Sequence, residues 1–234
     1  MPTSWPSQIS PIVNVILAAS PRSVLDVGCG YGKYGVLCRE YLDVMAGARA
    51  GDPHPLRRRV TIDCIEACAE YITPVHRYVY DSIQLGDALE ILPSLGDNYY
   101  DLALVVDVLE HFSPEEGGRF VREVTRVARA ALVATPTTPM PQSATFGNEY
   151  ERHRSYWTGR KLREMAPASR FFRSLTSSTG HICLLSRDAG VLTEITRRVR
   201  MQNWISFRTA MLERLHLRTP LRRLLGRHVD LEGA

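Results

Sequence analysis

Lysine is almost missing from this chain of 234 residues, occurring only at Lys33 and Lys161; the other basic residues are arginine. Long apolar runs are missing too. None approaches the ~18–20 residues that a membrane-spanning helix needs. The first residues, Met1-Pro2-Thr3-Ser4-Trp5-Pro6, hold no basic segment followed by an apolar one. That predicts no secretory leader and a cytoplasmic protein. Cysteines stand at 29, 38, 64, 68 and 183, with no Cys-x-x-Cys pair. An odd set without that spacing excludes a complete disulfide framework and argues against zinc. Buried free thiols are the expectation. A phosphate loop is absent, because Lys33 is followed by Tyr34 rather than serine or threonine. No Asn/Asp-Pro-Pro-Tyr run follows the fourth predicted strand, which argues against an enzyme acting on nucleic-acid bases.

The stretch Val24-Leu25-Asp26-Val27-Gly28-Cys29-Gly30-Tyr31-Gly32-Lys33-Tyr34-Gly35 organises what remains. An apolar run ends in Asp26, glycines follow, and a helical pattern comes next. A strand, a glycine turn and a helix start form a candidate nucleotide-binding loop, because glycine lets a ligand approach the backbone. Two readings of the ligand stay open at this point. Gly30-x-Gly32-x-x-Gly35 fits a dinucleotide fingerprint. Asp26, Gly28, Gly30 and Gly32 spell Asp-x-Gly-x-Gly-x-Gly, in which an acid would suit a positively charged ligand.

Strand and helix signals alternate through residue 135. Strands are predicted at about 23–27, 60–66, 82–85, 102–106 and 131–134. Helices are predicted before the first strand, over about 33–42, within 67–80, from about 88 to Leu95, and from Pro114 to about Ala128. Residues 43–59, with Gly47, Gly51, Pro53, Pro55 and Arg57-Arg58-Arg59, read as a surface loop. The alternation predicts an α/β, doubly wound parallel sheet that binds ligands at the carboxyl ends of its strands. Asp26, Glu66, Asp87 and Asp107 fall at four successive strand ends. Such a set of negative charges opposes a pyrophosphate cofactor. A carboxylate at the end of the second strand can accept both hydroxyls of a ribose.

Residues 23–135 resemble the class I S-adenosylmethionine (SAM)-dependent methyltransferases. A narrower likeness, to a bacterial subgroup of these enzymes, rests on Gly30-Tyr31-Gly32-Lys33-Tyr34-Gly35, Asp107-Val108-Leu109-Glu110-His111-Phe112, Thr135-Pro136 and Gly147-Asn148-Glu149-Tyr150-Glu151-Arg152-His153-Arg154-Ser155. The resemblance implies a Rossmann-like sheet of seven strands, six parallel and the seventh antiparallel beside the fifth. It implies SAM as methyl donor and S-adenosylhomocysteine as product. Asp26, Gly28, Gly30, Gly32 and Tyr34 would hold the methionine end, Glu66 the ribose, Asp87 and Ala88 the adenine, and Asp107 and Val108 would lie near the methionine end.

The acceptor side is less defined. Residues 136–157 form a long irregular segment after the fifth strand, where substrate loops often lie. His153 is the first candidate for a general base and His111 the second. Asp107, Glu110 and His111 could bind a divalent cation, although a loop packing over SAM explains the same residues and a metal is not expected. The acceptor is expected to be a small molecule or a glycan, with transfer to oxygen or nitrogen. A non-catalytic SAM-fold module and, less favoured, a nicotinamide-dependent oxidoreductase are the alternatives.

The domain is expected to span residues 1–187, with further elements at about 158–166, 170–176 and 181–186. Residues 188–234 form a basic tail. From Arg187 to Arg227 the arginines stand at 187, 197, 198, 200, 208, 214, 218, 222, 223 and 227, against Asp188, Glu194 and Glu213. Apolar residues at 192, 195, 199, 204, 207, 211 and 215 predict an amphipathic helix with an arginine-rich face, and Leu221, Leu224 and Leu225 a shorter piece. Packing on the core, a homodimer or an anionic membrane could each use it.

Overall fold

The computed structural model describes residues 4–54, 57–172 and 180–214. A seven-stranded sheet forms the middle layer. Its strands are β1 (Ser23–Val27), β2 (Thr61–Glu66), β3 (Ser82–Leu85), β4 (Tyr100–Val106), β5 (Ala128–Pro136), β6 (Ala168–Phe172) and β7 (Gly180–Ser186). They lie in the order β3-β2-β1-β4-β5-β7-β6. The pairs from β3 through to β5 are parallel, and β7 runs antiparallel between β5 and β6. The predicted arrangement of six parallel strands and one antiparallel strand is therefore present.

Helices cover both faces, which is why the central strands read as unbroken apolar runs. Successive side chains of β4 point to opposite faces. Leu102 and Leu104 join one core with Ile12, Ile16 and Val24, and Ala103 and Val105 join the other with Leu25, Phe120 and Val124. The first face is covered by α1 (Pro6–Ala19), α2 (Lys33–Cys38) and α8 (Ala189–Arg214), the second by α5 (Ala88–Ile91) and α6 (Pro114–Val127). Ser113 caps α6 by accepting from the Glu116 amide, and Glu116 returns the bond to the Ser113 amide.

Beyond β1 the chain first builds outward through β2 and β3, then crosses back to β4. The reversal opens a crevice at the carboxyl ends of β1 and β4.

Three expectations need correction. Residues 43–49 are helical: α2 continues through a π-helical stretch, Arg39–Val44, into α3 (Met45–Arg49). The buried Asp43 carboxylate holds this turn to the start of β2 by accepting the amides of Arg59 and Val60. The arginine run beside it serves the fold, since Arg58 pairs with Asp81 and Arg59 with Asp52. Second, β6 begins two residues before its predicted start, and its expected end lies outside the described residues. Third, the apolar stripe of the tail is not continuous. Leu192, Ile195 and Val199 are buried, whereas Trp204, Phe207 and Met211 are exposed. Trp204 stands five positions beyond Val199, so at about 100° per residue it is rotated roughly 140° from it. The shorter piece at Leu221–Leu225 lies outside the described residues. The remaining helices, α4 (Pro74–Val79) and α7 (Gly159–Glu164), pack at the edges. Among the described residues no helix is long and apolar enough to cross a membrane.

Candidate functional site

A cavity of about 1170 Å³, counting its open mouth, sits in the crevice at the carboxyl ends of β1 and β4. Asp26, Gly28, Gly30, Tyr34, Glu66, Asp87, Ala88, Asp107, Val108 and His111 of the sequence-derived set line it. Gly32 turns the loop one step behind the wall, with φ +79°.

The glycine loop is shaped by left-handed backbone. Gly28 has φ +67°, and a Cβ there would lie 2.5 Å from Cγ2 of Val108. Only glycine lets β1 and the turn after β4 approach this closely. Distant residues hold the loop in place. Glu66 accepts the Gly30 amide at 2.8 Å with one carboxylate oxygen and the Cys68 amide at 3.0 Å with the other. The buried His76 bonds the Gly30 carbonyl through Nε2 at 2.8 Å. A carbonyl only accepts, so Nε2 carries the proton. Nδ1 is then free to accept from the Thr73 amide.

Asp26 is buried and accepts the Tyr80 hydroxyl at 2.6 Å. Burial pushes its carboxyl up to about 7; the Tyr80 bond opposes this and the charge of Glu66 adds to it. Burial likewise pushes Asp107 up to about 6, against the pull of the Lys33 ammonium. Asp107 stands at φ +53°, one of the few residue types that tolerates this region. The Gln8 side chain bonds this carboxylate and opposes the shift as well. Asp87 accepts the Leu89 amide at 2.8 Å and caps α5 while also lining the cavity. Four acids, two of them holding their protons until near neutrality, form a site for a positively charged ligand. This donor set fits SAM, whose sulfonium and ammonium are cationic, and it disfavours a pyrophosphate.

The N-terminal segment closes one side. Lys33 donates to the Ser4 carbonyl at 2.9 Å, and the Ser4 and Tyr34 hydroxyls share a hydrogen bond of 2.9 Å. Ser4, His76 and Tyr80 were not among the sequence-derived candidates. They lie 29 to 54 residues from the loop atoms they hold, and no local pattern marks them.

The segment after β5 forms the other side, where Asn148, Glu149, Tyr150, Glu151 and Arg154 line the cavity. Tyr71 donates to Glu151, and Asn148 donates to the Tyr71 hydroxyl. The Arg154 and Ser155 amides both donate to the Glu110 carbonyl. Trp157 is buried, donates from Nε1 to the Leu109 carbonyl, and fills the space left by Gly117, where a Cβ would come within 2.4 Å of its ring.

His111 reaches the cavity wall, whereas His153 stands behind it with ring centres 5.0 Å apart. Nδ1 of His111 bonds the Arg152 carbonyl and Nδ1 of His153 the Met140 carbonyl, which leaves Nε2 of each neutral ring with a lone pair. Burial lowers both histidines below their ordinary value, so both are neutral at pH 7. The buried Glu110 accepts from Thr135, and burial together with the charge of Asp107 pushes it up to about 8. Glu110, His111 and His153 place one possible ligand atom each within 4.8 Å of one another. The sequence pattern had grouped Asp107 with Glu110 and His111; the fold gathers His153 instead.

Comparison with known proteins agrees with this geometry. Residues 25–131, just under half of the chain, match the family model of the methyltransferase domain. Among solved structures, a candidate O-methyltransferase from Nostoc punctiforme superposes with a TM-score of 0.53 at 16% identity, over 76% of this chain and 55% of its own. The bifunctional kinase-methyltransferase WbdD superposes at 0.51 and 18% identity, over 80% of this chain and 41% of its own. The chain thus spans about half the length of these neighbours or less, and what they share with it is the fold.

Proposed function

We propose that the chain, whose residues 25–131 match the methyltransferase-domain model, transfers the methyl group of SAM to an oxygen or nitrogen of a small-molecule or glycan acceptor. The observation that carries this reading is the convergence of Asp26, Glu66, Asp87 and Asp107 on one cavity beside a left-handed glycine loop.

When bound, SAM supplies a methyl group already made electrophilic by its sulfonium. Little covalent chemistry is then left to the protein, which must align the acceptor and keep water out. Glu66 has two carboxylate oxygens for a ribose, oriented by the Gly30 and Cys68 amides. Asp87 faces the adenine end beside Ala88. Asp26 and Asp107 answer the ammonium and sulfonium. The acceptor enters between the 148–154 segment and the Leu109–His111 turn. The nucleophile forms its bond to the methyl carbon as the sulfur–carbon bond breaks and the electron pair returns to sulfur. A hydroxyl or ammonium acceptor must also lose a proton. His111, neutral and on the cavity wall, takes it at Nε2; His153 orients the ring from behind.

Calorimetry with SAM, S-adenosylhomocysteine and NADH tests the cofactor. Binding of the first two and none of NADH is expected; preference for NADH would overturn the reading. Release of S-adenosylhomocysteine in the presence of sugar and phenol acceptors tests catalysis. SAM bound without any such turnover would leave a binding module.

A further inference from the structure

The outer half of α8 has no role in the methyl-transfer site, and its chemistry is unusual. Its inner half is anchored: Leu192, Ile195 and Val199 are buried against the sheet and α1. Gln202 is the last partly buried residue before the helix turns outward. Residues 203–207 are exposed without exception. Trp204 is 56% exposed, Phe207 67%, and Met201, Ile205 and Met211 between 42% and 51%. Such a run of large apolar side chains marks an interaction surface.

The phase of the helix decides whether the domain itself could cover them. Met201, Trp204, Ile205, Arg208 and Met211 follow helical spacing and form one stripe. That stripe faces away from the side buried by Leu192, Ile195 and Val199, so packing one against the sheet turns the other outward. Arg208 lies within the outward stripe, its guanidinium 4.4 Å from the centre of the Trp204 ring.

Charge selects the occupant. From Arg200 to Arg227 the sequence holds arginines at 200, 208, 214, 218, 222, 223 and 227 against one acid, Glu213. A second copy of this segment would carry the same excess and be repelled. A nucleic acid would satisfy the arginines but leave Trp204, Ile205 and Phe207 in water. A bilayer with anionic headgroups satisfies both: the aromatic and aliphatic side chains enter the headgroup–acyl boundary, and the arginines lie among phosphates. We propose that the outer half of α8 seats the protein on an anionic membrane surface, lying in the interface without spanning it.

Flotation of the full-length chain with vesicles tests this. Vesicles of phosphatidylcholine with phosphatidylglycerol are expected to carry the protein, vesicles of phosphatidylcholine alone are not, and salt should weaken the binding. Trp204 fluorescence should shift to the blue, a shift absent in Trp204→Phe. Replacing Trp204 and Phe207 by serine should lower partitioning about tenfold or more per residue, and each arginine replaced by glutamine about fivefold. Trp204 and Phe207 are exposed and lie outside the cavity lining, so SAM binding by calorimetry should be unchanged and reports that the variants fold. The proposal is overturned by failure to float with anionic vesicles at low salt. It is equally overturned if the serine variants float like wild type. A dimer in light scattering that the serine substitutions dissolve would assign the face to a second copy. Binding of duplex DNA that depends on the arginines and ignores Trp204 and Phe207 would assign it to nucleic acid.

Discussion

Asp26 should make SAM binding depend on pH in a direction that can be worked out beforehand. In the free protein its carboxyl sits at about 7, chiefly because it is buried. A cationic ligand stabilises the charged form and returns the group toward the ordinary carboxylate range. Binding then expels a proton wherever the free site still holds one, so affinity rises with pH and levels off above about 7. At about pH 5.5 nearly all free sites are protonated at Asp26, and at about pH 7 half are. For Asp26 alone the ratio of the two protonation factors predicts a roughly 16-fold tighter Kd at the higher pH, about 1.6 kcal/mol, and Asp107 adds about fourfold. The range stops there because an α-amino group begins to lose its own proton near ~7.7–8.0. Calorimetry in two buffers of different ionisation enthalpy counts the expelled proton directly. Asp107, at about 6, titrates in the lower part of the range, so Asp26→Asn should flatten the upper part and leave the lower slope. A Kd that moves less than twofold from about pH 5.5 to 7, or an Asp26→Asn profile that overlays wild type, would refute the argument.

Other outcomes follow from the same geometry. His111→Ala should lower turnover about 10²-fold with SAM affinity unchanged, and His153→Ala less, because His153 acts through the His111 ring; a near-wild-type rate for His111→Ala with a hydroxyl acceptor would remove it as the base. Trp157→Ala should cost about 3–5 kcal/mol in urea unfolding, through the space left over Gly117 and the lost bond to the Leu109 carbonyl; a loss below 1 kcal/mol would mean that the 149–157 segment is held elsewhere. Turnover should survive a chelator, because burial keeps the Glu110 carboxyl protonated up to about 8 and a neutral carboxyl is a poor ligand; loss of activity restored by magnesium would assign Glu110, His111 and His153 to a cation.

The sheet was legible because parallel strands covered on both faces write their burial as unbroken apolar runs, and β4 is the clearest of them. The acids at 26, 66, 87 and 107 were legible because each stands within two residues of a strand's carboxyl end. Helix α3 was not. Gly47 looked like a breaker, but it sits beneath the Arg59 guanidinium, which packs within 3.3–3.4 Å of where a Cβ would stand. The reversal of α8 was hidden by spacing that counts correctly while its phase slips between Val199 and Trp204. In the site, the glycine loop could be read but not its supports. His76 and Tyr80 come from beyond β2 and reach Gly30 and Asp26 only after the sheet has assembled.

The Asp43 clasp bears on how the protein can be handled. One buried carboxylate binds both the helical turn that leads into residues 50–58 and the chain as it enters β2. The ends of that excursion are therefore fixed whatever lies between them. Lengthening a loop whose ends are already pinned costs only about 0.6 kcal/mol per doubling. Gly51 has no neighbour within 4 Å of where a side chain would begin. A fluorophore or immobilisation tag spliced in beside it would ride on the outside of the molecule, leaving the cavity and the arginine-rich helix free for the measurements described above.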